Sequence, residues 1–128
     1  MANFYPPGLE HQSNTIAIDF DGVIHNAAKG WHDGTCYGDP LPGAIEAIKA
    51  LSKTYNIVIF TAKAKPDRPL VNNKTGVMLV TEWLEKYNID QYVSSVTSEK
   101  PRADLYIDDN GYRFENWKDT LNFIKSYE

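Results

Sequence analysis

The chain has 128 residues, the size of one ordinary domain, and we predict a single domain over residues 1–128. Hydrophobic residues make up 42% and charged residues 23%, both near the averages for globular proteins, which argues against disorder. The net charge of −4 argues against general nucleic-acid binding, and the single cysteine, Cys36, excludes an intrachain disulfide. No apolar stretch approaches the ~20 residues of a membrane span. We therefore expect a soluble, cytoplasmic protein with no membrane partner.

The first predicted strand is the feature around which the chain is organised. Residues 1–14 are polar and interrupted by proline and glycine, which is typical of a surface arm, and the apolar residues 15–20 predict a buried strand. This strand ends in two carboxylates, Asp19 and Asp21, followed by Gly22. Like charges this close repel unless a cation joins them, and Mg²⁺ prefers oxygen ligands of this kind. The sequence therefore predicts a divalent metal site at the end of this strand.

Residues 22–40 separate this strand from the next element. They contain four glycines and little periodicity, which predicts a long irregular loop over the site. Loops of this length in compact domains are uncommon and usually functional. Pro42 and Gly43 then open a predicted helix whose apolar residues recur at helical spacing. Those apolar residues are Ala44, Ile45, Ile48, Leu51 and Tyr55.

The middle of the chain predicts a strand, a loop and a second helix. Residues 57–60 are a short apolar run, as expected of a parallel strand covered on both faces. Residues 63–75 are basic and contain Pro66 and Pro69, which exclude a continuous helix. The second helix follows with Thr75 as its N-cap. Its apolar face consists of Val77, Val80, Leu84 and Tyr87.

The last part of the chain predicts two strands and a third helix. Residues 91–97 favour a weak strand, and residues 103–107 a mostly apolar strand that ends in Asp108 and Asp109. Lys100 lies in the loop between these two strands. The cap and the apolar residues of the final helix are Asn116, Trp117, Leu121 and Ile124.

The order of predicted elements is strand, helix, strand, helix, strand, strand, helix. This order predicts an α/β fold of three layers, a Rossmann-like parallel sheet with helices on both faces. In such sheets, ligands bind beyond the carboxyl ends of the strands. Three predicted strands carry polar or acidic residues at that end: Asp19 and Asp21, Thr61, and Asp108 and Asp109. The sequence therefore predicts one functional site at this edge of the sheet.

These residue types suit phosphoryl transfer, which needs in-line positioning and neutralisation of the charge on the phosphoryl oxygens. Lys100 supplies a positive charge and Thr61 a hydrogen bond. Either Asp19 or Asp21 is a candidate to attack phosphorus, because a carboxylate beside Mg²⁺ can form an aspartyl-phosphate intermediate. The residue types alone leave the choice between these two carboxylates open.

Four short motifs resemble those of the haloacid dehalogenase (HAD) superfamily of phosphohydrolases. Residues 19–23 (Asp-Phe-Asp-Gly-Val) resemble the first motif, and residues 59–61 (Ile-Phe-Thr) resemble the second. Residues 100–101 (Lys-Pro) resemble the third motif, and residues 105–110 (Leu-Tyr-Ile-Asp-Asp-Asn) the acidic fourth. The four motifs occur in the family order and extend over residues 16–110, most of the chain.

The resemblance implies a role for each matching acidic residue. Asp19 is the expected nucleophile. Asp21 is the expected general acid and base, which protonates the leaving oxygen and then activates water. The resemblance implies that Mg²⁺ is bound by Asp19, the backbone carbonyl of Asp21, and Asp108. Asp109 is expected either as a further metal ligand or as the residue that orients Lys100.

The remaining expected site residues bind substrate. The resemblance implies that Thr61 and Lys100 hold the phosphoryl oxygens. We add Ala62, Lys63 and His25 to the substrate-binding set because they follow the predicted strand end or lie in the loop over it. For His25 and Lys63, a structural or solvated role is the alternative reading.

Family members usually carry a cap domain that closes the site and selects the substrate. The loops at residues 22–40 and 63–75 are too short for an independent domain, so the resemblance implies a HAD-like member without a separate cap. Such members either accept large substrates through an open site or complete the site with a neighbouring subunit. The sequence leaves both alternatives open, including a homo-oligomer.

The leading hypothesis is a Mg²⁺-dependent phosphatase that hydrolyses a phosphomonoester. The candidate substrates are a small phosphorylated metabolite, a nucleotide and a polynucleotide end. A phospho-acceptor signalling module of the receiver type is one alternative, but here a second acidic pair follows Thr61 and Lys100, which disfavours it. A non-catalytic protein that binds a metal or a nucleotide is the other alternative.

Overall fold

The computed structural model describes residues 14–30, 34–99, 101, 103, 105–107 and 113–127. The strands are β1 (Thr15–Asp19), β2 (Asn56–Phe60), β3 (Ser95–Thr97) and β4 (Leu105–Ile107). The α-helices are α1 (Ala44–Leu51), α2 (Gly76–Lys86) and α3 (Trp117–Tyr127). The predicted order of strands and helices is confirmed. The predicted surface arm at residues 1–14 lies almost entirely outside the described residues.

Within the described residues, the four strands form one parallel sheet in the order β3-β2-β1-β4. β1 is an inner strand that pairs with β2 on one side and β4 on the other. Ile16, Ala17 and Ile18 of β1 have no exposed surface, as expected of a parallel strand that is covered on both faces. The predicted α/β class is confirmed, and the parallel sheet with its helices is compatible with a Rossmann-like fold.

The helices bury most of the apolar residues that their periodicity predicts, and Ile45, Tyr87 and Leu121 are half-buried. In α2, Val80, Trp83 and Leu84 are buried, whereas Val77 is 38% exposed. Val77 lies in the first turn of this helix, so the buried face begins at Val80. The largest fully buried side chains are Ile16, Ile18, Phe20, Ile24, Ile48, Ile57, Ile59, Leu84, Ile89, Ile107, Trp117 and Ile124.

Both predicted N-caps are confirmed. The Thr75 hydroxyl accepts a hydrogen bond from the backbone N–H of Met78 at 3.2 Å. The side-chain carbonyl of Asn116 accepts one from the backbone N–H of Asp119 at 2.8 Å. Each bond satisfies a backbone donor that the first turn of a helix leaves without an intrahelical partner. Among the described residues, no helix combines the length and apolar character needed to cross a membrane.

Several predicted elements are shorter than expected: β1 ends at Asp19 and not at residue 20, and β4 begins at Leu105 and not at residue 103. The strand predicted at residues 91–97 begins as a 3₁₀ turn, Asp90–Tyr92, and only Ser95–Thr97 are strand. The turn forms because the N–H groups of Tyr92 and Val93 bond back to the carbonyls of Ile89 and Asp90. The first helix ends at Leu51, before the predicted apolar residue Tyr55. Tyr55 lies in the turns after the helix, where its backbone N–H donates a hydrogen bond to the carbonyl of Leu51.

The described parts of the loop at residues 22–40 are packed into the core, which the prediction of an irregular loop did not include. Val23, Ile24 and His25 of this loop are buried in the core. The indole N–H of Trp117 donates to the carbonyl of Val23 at 3.0 Å, and that of Trp83 donates to the carbonyl of Gly38 at 2.9 Å. Hydrogen bonds from two helices therefore hold the loop against the rest of the domain.

Gly76, the first residue of α2, lies so close to the chain after β2 that a side chain does not fit. A Cβ atom there would lie 1.4 Å from the backbone carbonyl oxygen of Lys63. We predict that Gly76→Ala lowers the free energy of unfolding by about 3 kcal/mol or more, although alanine is the better helix former. Urea unfolding followed by circular dichroism measures the change.

Gly30→Ala is the matched control. A Cβ atom at Gly30 meets no atom within 4 Å, so only the left-handed backbone (φ +64°) opposes the substitution. We expect a loss of about 1 kcal/mol. A Gly76→Ala variant as stable as Gly30→Ala would contradict the close approach of α2 to Lys63.

Candidate functional site

The carboxyl ends of β1 and β2 lie side by side. Asp19, the last residue of β1, is in register with Phe60, the last residue of β2, and Thr61 follows directly. Ile107, the last residue of β4, is in register with Ile18, one position before Asp19. The structure thus places Asp19 and Thr61 at one edge of the sheet, as predicted. Lys100, Asp108 and Asp109 lie outside the described residues.

A tight turn follows β1 and returns the chain to Asp21. The carbonyl of Phe20 lies within 2.9–3.3 Å of the N–H groups of Val23, Ile24 and His25. The N–H of Gly22 donates to the carbonyl of His25 at 2.9 Å, and Gly22 has a φ of +81°, a left-handed conformation that glycine adopts at little cost. The turn therefore brings His25 next to Asp21.

His25 is a fully buried partner of Asp21. Its Nδ1 lies 2.9 Å from Oδ1 of Asp21, and its Nε2 lies 2.8 Å from the backbone nitrogen of Gly38. The backbone N–H of Gly38 can only donate, so Nε2 accepts and the hydrogen on Nδ1 is directed at Asp21. The ring stacks on Phe20 at a centroid distance of 5.0 Å and meets the edge of Trp83 at 5.7 Å.

Lys63 is the second buried partner of Asp21. Its Nζ donates to Oδ2 of Asp21 at 2.8 Å, and only 2% of its side chain is exposed. The backbone N–H of Lys63 donates to the hydroxyl of Thr61 at 3.2 Å, which starts the 3₁₀ turn Ala62–Ala64. The end of β2 therefore fixes the backbone from which the Lys63 side chain extends to Asp21.

The carboxylate of Asp21 accepts a hydrogen bond at each oxygen. Burial by itself raises the pKa of Asp21, because it disfavours the charged form. The hydrogen bonds from His25 and Lys63, together with the positive charge of Lys63, act in the opposite direction. The net result is that the pKa of Asp21 lies below its ordinary value, so this site favours the carboxylate form.

The observed contacts of His25 and Lys63, which we expected to bind substrate, favour the structural reading of both residues. Both side chains are buried, and their polar atoms are directed at Asp21 or at the loop backbone. A buried imidazole whose two nitrogens are both hydrogen-bonded has no polar atom left for a substrate. Of the other residues in the expected set, Ala62 is exposed and Thr61 is buried with its hydroxyl next to Lys63.

A small cavity of about 90 Å³ lies on the other side of Lys63. Its walls include Gly34 from the loop after β1, Arg68 from the basic loop, and Gly76 at the start of α2. Of the cationic residues in the cavity wall, Arg68 is exposed and Lys63 is buried.

The expected magnesium site falls only partly within the described residues. Both carboxylate oxygens of Asp21 are bonded to protein donors, whereas no described donor bonds to its backbone carbonyl. The carbonyl is the oxygen that the resemblance assigns to the metal, and Asp19 adds a carboxylate at the same sheet edge. No group of three or more His, Cys, Asp or Glu side chains among the described residues could hold a metal ion. The other expected ligands, Asp108 and Asp109, lie outside those residues.

Comparison with known proteins found no matching family model, no matching curated protein and no matching solved structure. The assignment of chemistry to this site therefore depends on its own residues.

The sequence interpretation missed the association of Asp21, His25 and Lys63. His25 lies four residues after Asp21, and Lys63 lies two residues after Thr61. The turn signal at Gly22 was available, because a tight turn brings residues four apart together. No signal in the sequence sets the distance between Asp21 and Lys63, which are separated by 42 positions.

Cys36 provides a test of the environment around this site. Burial raises the pKa of its thiol to about 12, because the thiolate loses hydration there; the positive charge of Lys63 and the negative charge of Asp21 have smaller, opposing effects. The ordinary value is 9.0. At pH 8, the folded protein should therefore hold about 1000-fold less thiolate than the unfolded chain.

We predict that iodoacetamide alkylates Cys36 at pH 8 about 100-fold more slowly in the folded protein than in the protein unfolded by guanidinium chloride. The folded thiol binds its proton more tightly than the unfolded thiol, so folding stability from this group should fall as the pH rises from 9 towards 12. Mass spectrometry of the quenched protein measures the alkylation rate. Equal rates in the folded and unfolded states would show that the half-buried position of Cys36 does not disfavour its thiolate.

Proposed function

We propose that this chain is a Mg²⁺-dependent phosphatase of the HAD type that hydrolyses a phosphomonoester. The observation that carries the proposal is the carboxylate of Asp21, two residues beyond Asp19, held between the buried side chains of Lys63 and His25. Buried charged groups with fixed hydrogen bonds at the carboxyl end of a parallel sheet are typical of catalytic sites. The four motifs that resemble those of the superfamily supply the chemistry.

In the proposed first step, a carboxylate oxygen of Asp19 attacks phosphorus and the bond from phosphorus to the leaving oxygen breaks. The leaving oxygen takes a proton from Asp21, and the product is an aspartyl-phosphate on Asp19. Thr61 and Lys100 hold the phosphoryl oxygens during the transfer. A bound Mg²⁺ would supply charge neutralisation for those oxygens, held by Asp19, the carbonyl of Asp21, and Asp108, with Asp109 as a further ligand or as the partner of Lys100.

In the proposed second step, water attacks phosphorus and the bond to Asp19 breaks. Asp21 takes the proton of that water, which returns both carboxylates to their starting state. The hydrogen bonds at both oxygens of Asp21 favour its carboxylate form, and this is the form that a base requires. Binding of a negatively charged phosphate ester beside Asp19 adds like charges near Asp21, which favours the protonated form required in the first step.

We further propose a three-layer, HAD-like domain without a separate cap. This proposal is supported by the hydrogen bonds that attach the loop after β1 to the core. Two tryptophan indoles donate to backbone carbonyls of the loop, and the hydroxyl of Tyr87 donates to the side chain of Asp39. Attachment of this kind favours a loop that belongs to the domain over a separate cap. An open site of this kind suits a metabolite, a nucleotide or a polynucleotide end, alone or completed by a second copy of the chain.

We predict that Asp19→Asn lowers Mg²⁺-dependent hydrolysis of an aryl phosphate by at least about 1000-fold, because an amide cannot form the phosphoryl intermediate. Asp90→Asn is the matched control, since Asp90 is exposed and precedes β3 at the opposite end of the strands. That control should keep the wild-type rate. Hydrolysis by Asp19→Asn at the wild-type rate would show that Asp19 is not the nucleophile.

We also predict that a chelator abolishes hydrolysis and that added Mg²⁺ restores it, because the phosphoryl charge is otherwise not neutralised. A panel of nucleotides, sugar phosphates and 3′-phosphorylated oligonucleotides identifies the substrate class. A stoichiometric phosphoryl adduct without turnover would favour the receiver-type alternative. Failure to hydrolyse any member of the panel would favour the non-catalytic alternative.

A further inference from the structure

Asp21 is held from two sides by side chains that belong to different segments of the chain. Nδ1 of His25 reaches Oδ1 at 2.9 Å, and Nζ of Lys63 reaches Oδ2 at 2.8 Å. His25 is in the turn after β1, whereas Lys63 is in the 3₁₀ turn after β2. With one donor on each oxygen, rotation of the carboxylate breaks at least one of these bonds.

The orientation of His25 is itself fixed. The N–H of Gly38 holds Nε2, and the ring stacks on Phe20 with an interplanar angle of 3°. A Cβ atom at Gly38 would lie 2.0 Å from the carbonyl oxygen of Asn26, so only glycine brings the loop backbone this close to the imidazole. The loop after β1 therefore determines which nitrogen of His25 carries the hydrogen that Asp21 accepts.

The position of Lys63 is fixed by its backbone. Its N–H donates to the Thr61 hydroxyl, and its carbonyl oxygen is in close contact with Gly76 of α2. An ammonium group with 2% exposure is costly to bury unless an opposite charge compensates it, and Asp21 supplies that charge. Only 2% of the Lys63 side chain is exposed, and its ammonium group donates to Asp21.

We propose that His25 and Lys63 are positioning residues. They orient the Asp21 carboxylate for proton exchange with the leaving oxygen and then with water. This inference rests on the proposed phosphatase function and goes beyond it, because it gives a catalytic purpose to two residues that do not contact the substrate. If the Asp21 carboxylate rotates, its oxygen moves out of hydrogen-bonding distance of the group with which it exchanges a proton. Misplacement by about 1 Å costs about 100-fold in rate. The loss should appear in kcat and not in KM, because substrate binding does not use these groups.

Two substitutions of His25 separate its two hydrogen bonds. In His25→Asn, the amide nitrogen lies near the place of Nδ1 and can still donate to Asp21. In His25→Gln, the longer side chain places its amide near Nε2, where it can accept from Gly38 but no longer reaches Asp21. We expect His25→Gln to lower kcat by about 10–100-fold with little change in KM, and His25→Asn to lose much less.

Tyr37→Phe is the control for general damage to the loop. The Tyr37 ring packs edge-on against His25 at 5.1 Å, and its hydroxyl bonds to Lys29 and Gly30, away from Asp21. This variant should lower the melting temperature and leave kcat unchanged. A merely structural role for His25 predicts instead that kcat follows melting temperature across all three variants.

Lys63 is tested by Lys63→Met and Lys63→Arg. Methionine keeps most of the side-chain length without the charge, and we expect kcat to fall by about 10–100-fold while KM stays near the wild-type value. Arginine keeps a cationic donor and should restore part of the lost kcat. A rise in KM with kcat unchanged would show that Lys63 binds substrate, which would overturn its positioning role.

A readout without turnover comes from ¹⁵N NMR of the His25 ring. The contacts predict a hydrogen on Nδ1 and none on Nε2, and a spectrum with the opposite tautomer would overturn the inference. Wild-type kcat in a folded His25→Gln variant would overturn it as well, while leaving the phosphatase function intact. Failure of the wild-type protein to hydrolyse any phosphoester with Mg²⁺ would instead overturn the proposed function, and with it the role of both residues.

Discussion

The ion pair between the buried Lys63 and the half-buried Asp21 is the interaction on which the organisation of this site depends. An ammonium group with 2% exposure requires a compensating charge, and removing one member of such a pair typically costs about 3–5 kcal/mol. The pair joins the segments that follow β1 and β2, two strands whose parallel register already brings their ends together. A charged group that is expensive to bury thereby lies at the sheet edge where the proposed chemistry requires it.

The loop after β1 contributes to the site from within the core. Its buried residues Val23, Ile24 and His25 pack under the sheet edge, and the indoles of Trp83 and Trp117 bond to its carbonyls. These contacts satisfy backbone groups that burial would otherwise leave without partners. The same packing that stabilises the loop also fixes the His25 ring. The stability of the loop and the orientation of the Asp21 side chain therefore depend on the same contacts.

Periodicity and capping chemistry were sufficient to predict the strands, the helices and the positions of Thr75 and Asn116, because these features depend on neighbours within a few residues. The strand at residues 91–97 was predicted too long, since local turn hydrogen bonds at Asp90–Tyr92 compete with sheet pairing. The partnership of Asp21 with Lys63 could not be predicted, because it depends on tertiary packing between segments 42 positions apart. The position of Lys63 in the sequence, just after the predicted strand end, predicted that it lies near the site. It did not predict which residue its side chain contacts.

The central claim is that Asp19 accepts the phosphoryl group while Asp21, held by its two partners, moves the proton. The most direct measurement uses Asp21→Asn with an aryl phosphate, whose leaving group needs little protonation, so that the intermediate accumulates when water is not activated. Borohydride converts an aspartyl-phosphate to homoserine, which peptide mass spectrometry locates. The account predicts homoserine at position 19 only when Mg²⁺ and substrate are both present. Its absence there, or its appearance at another aspartate, would contradict the account.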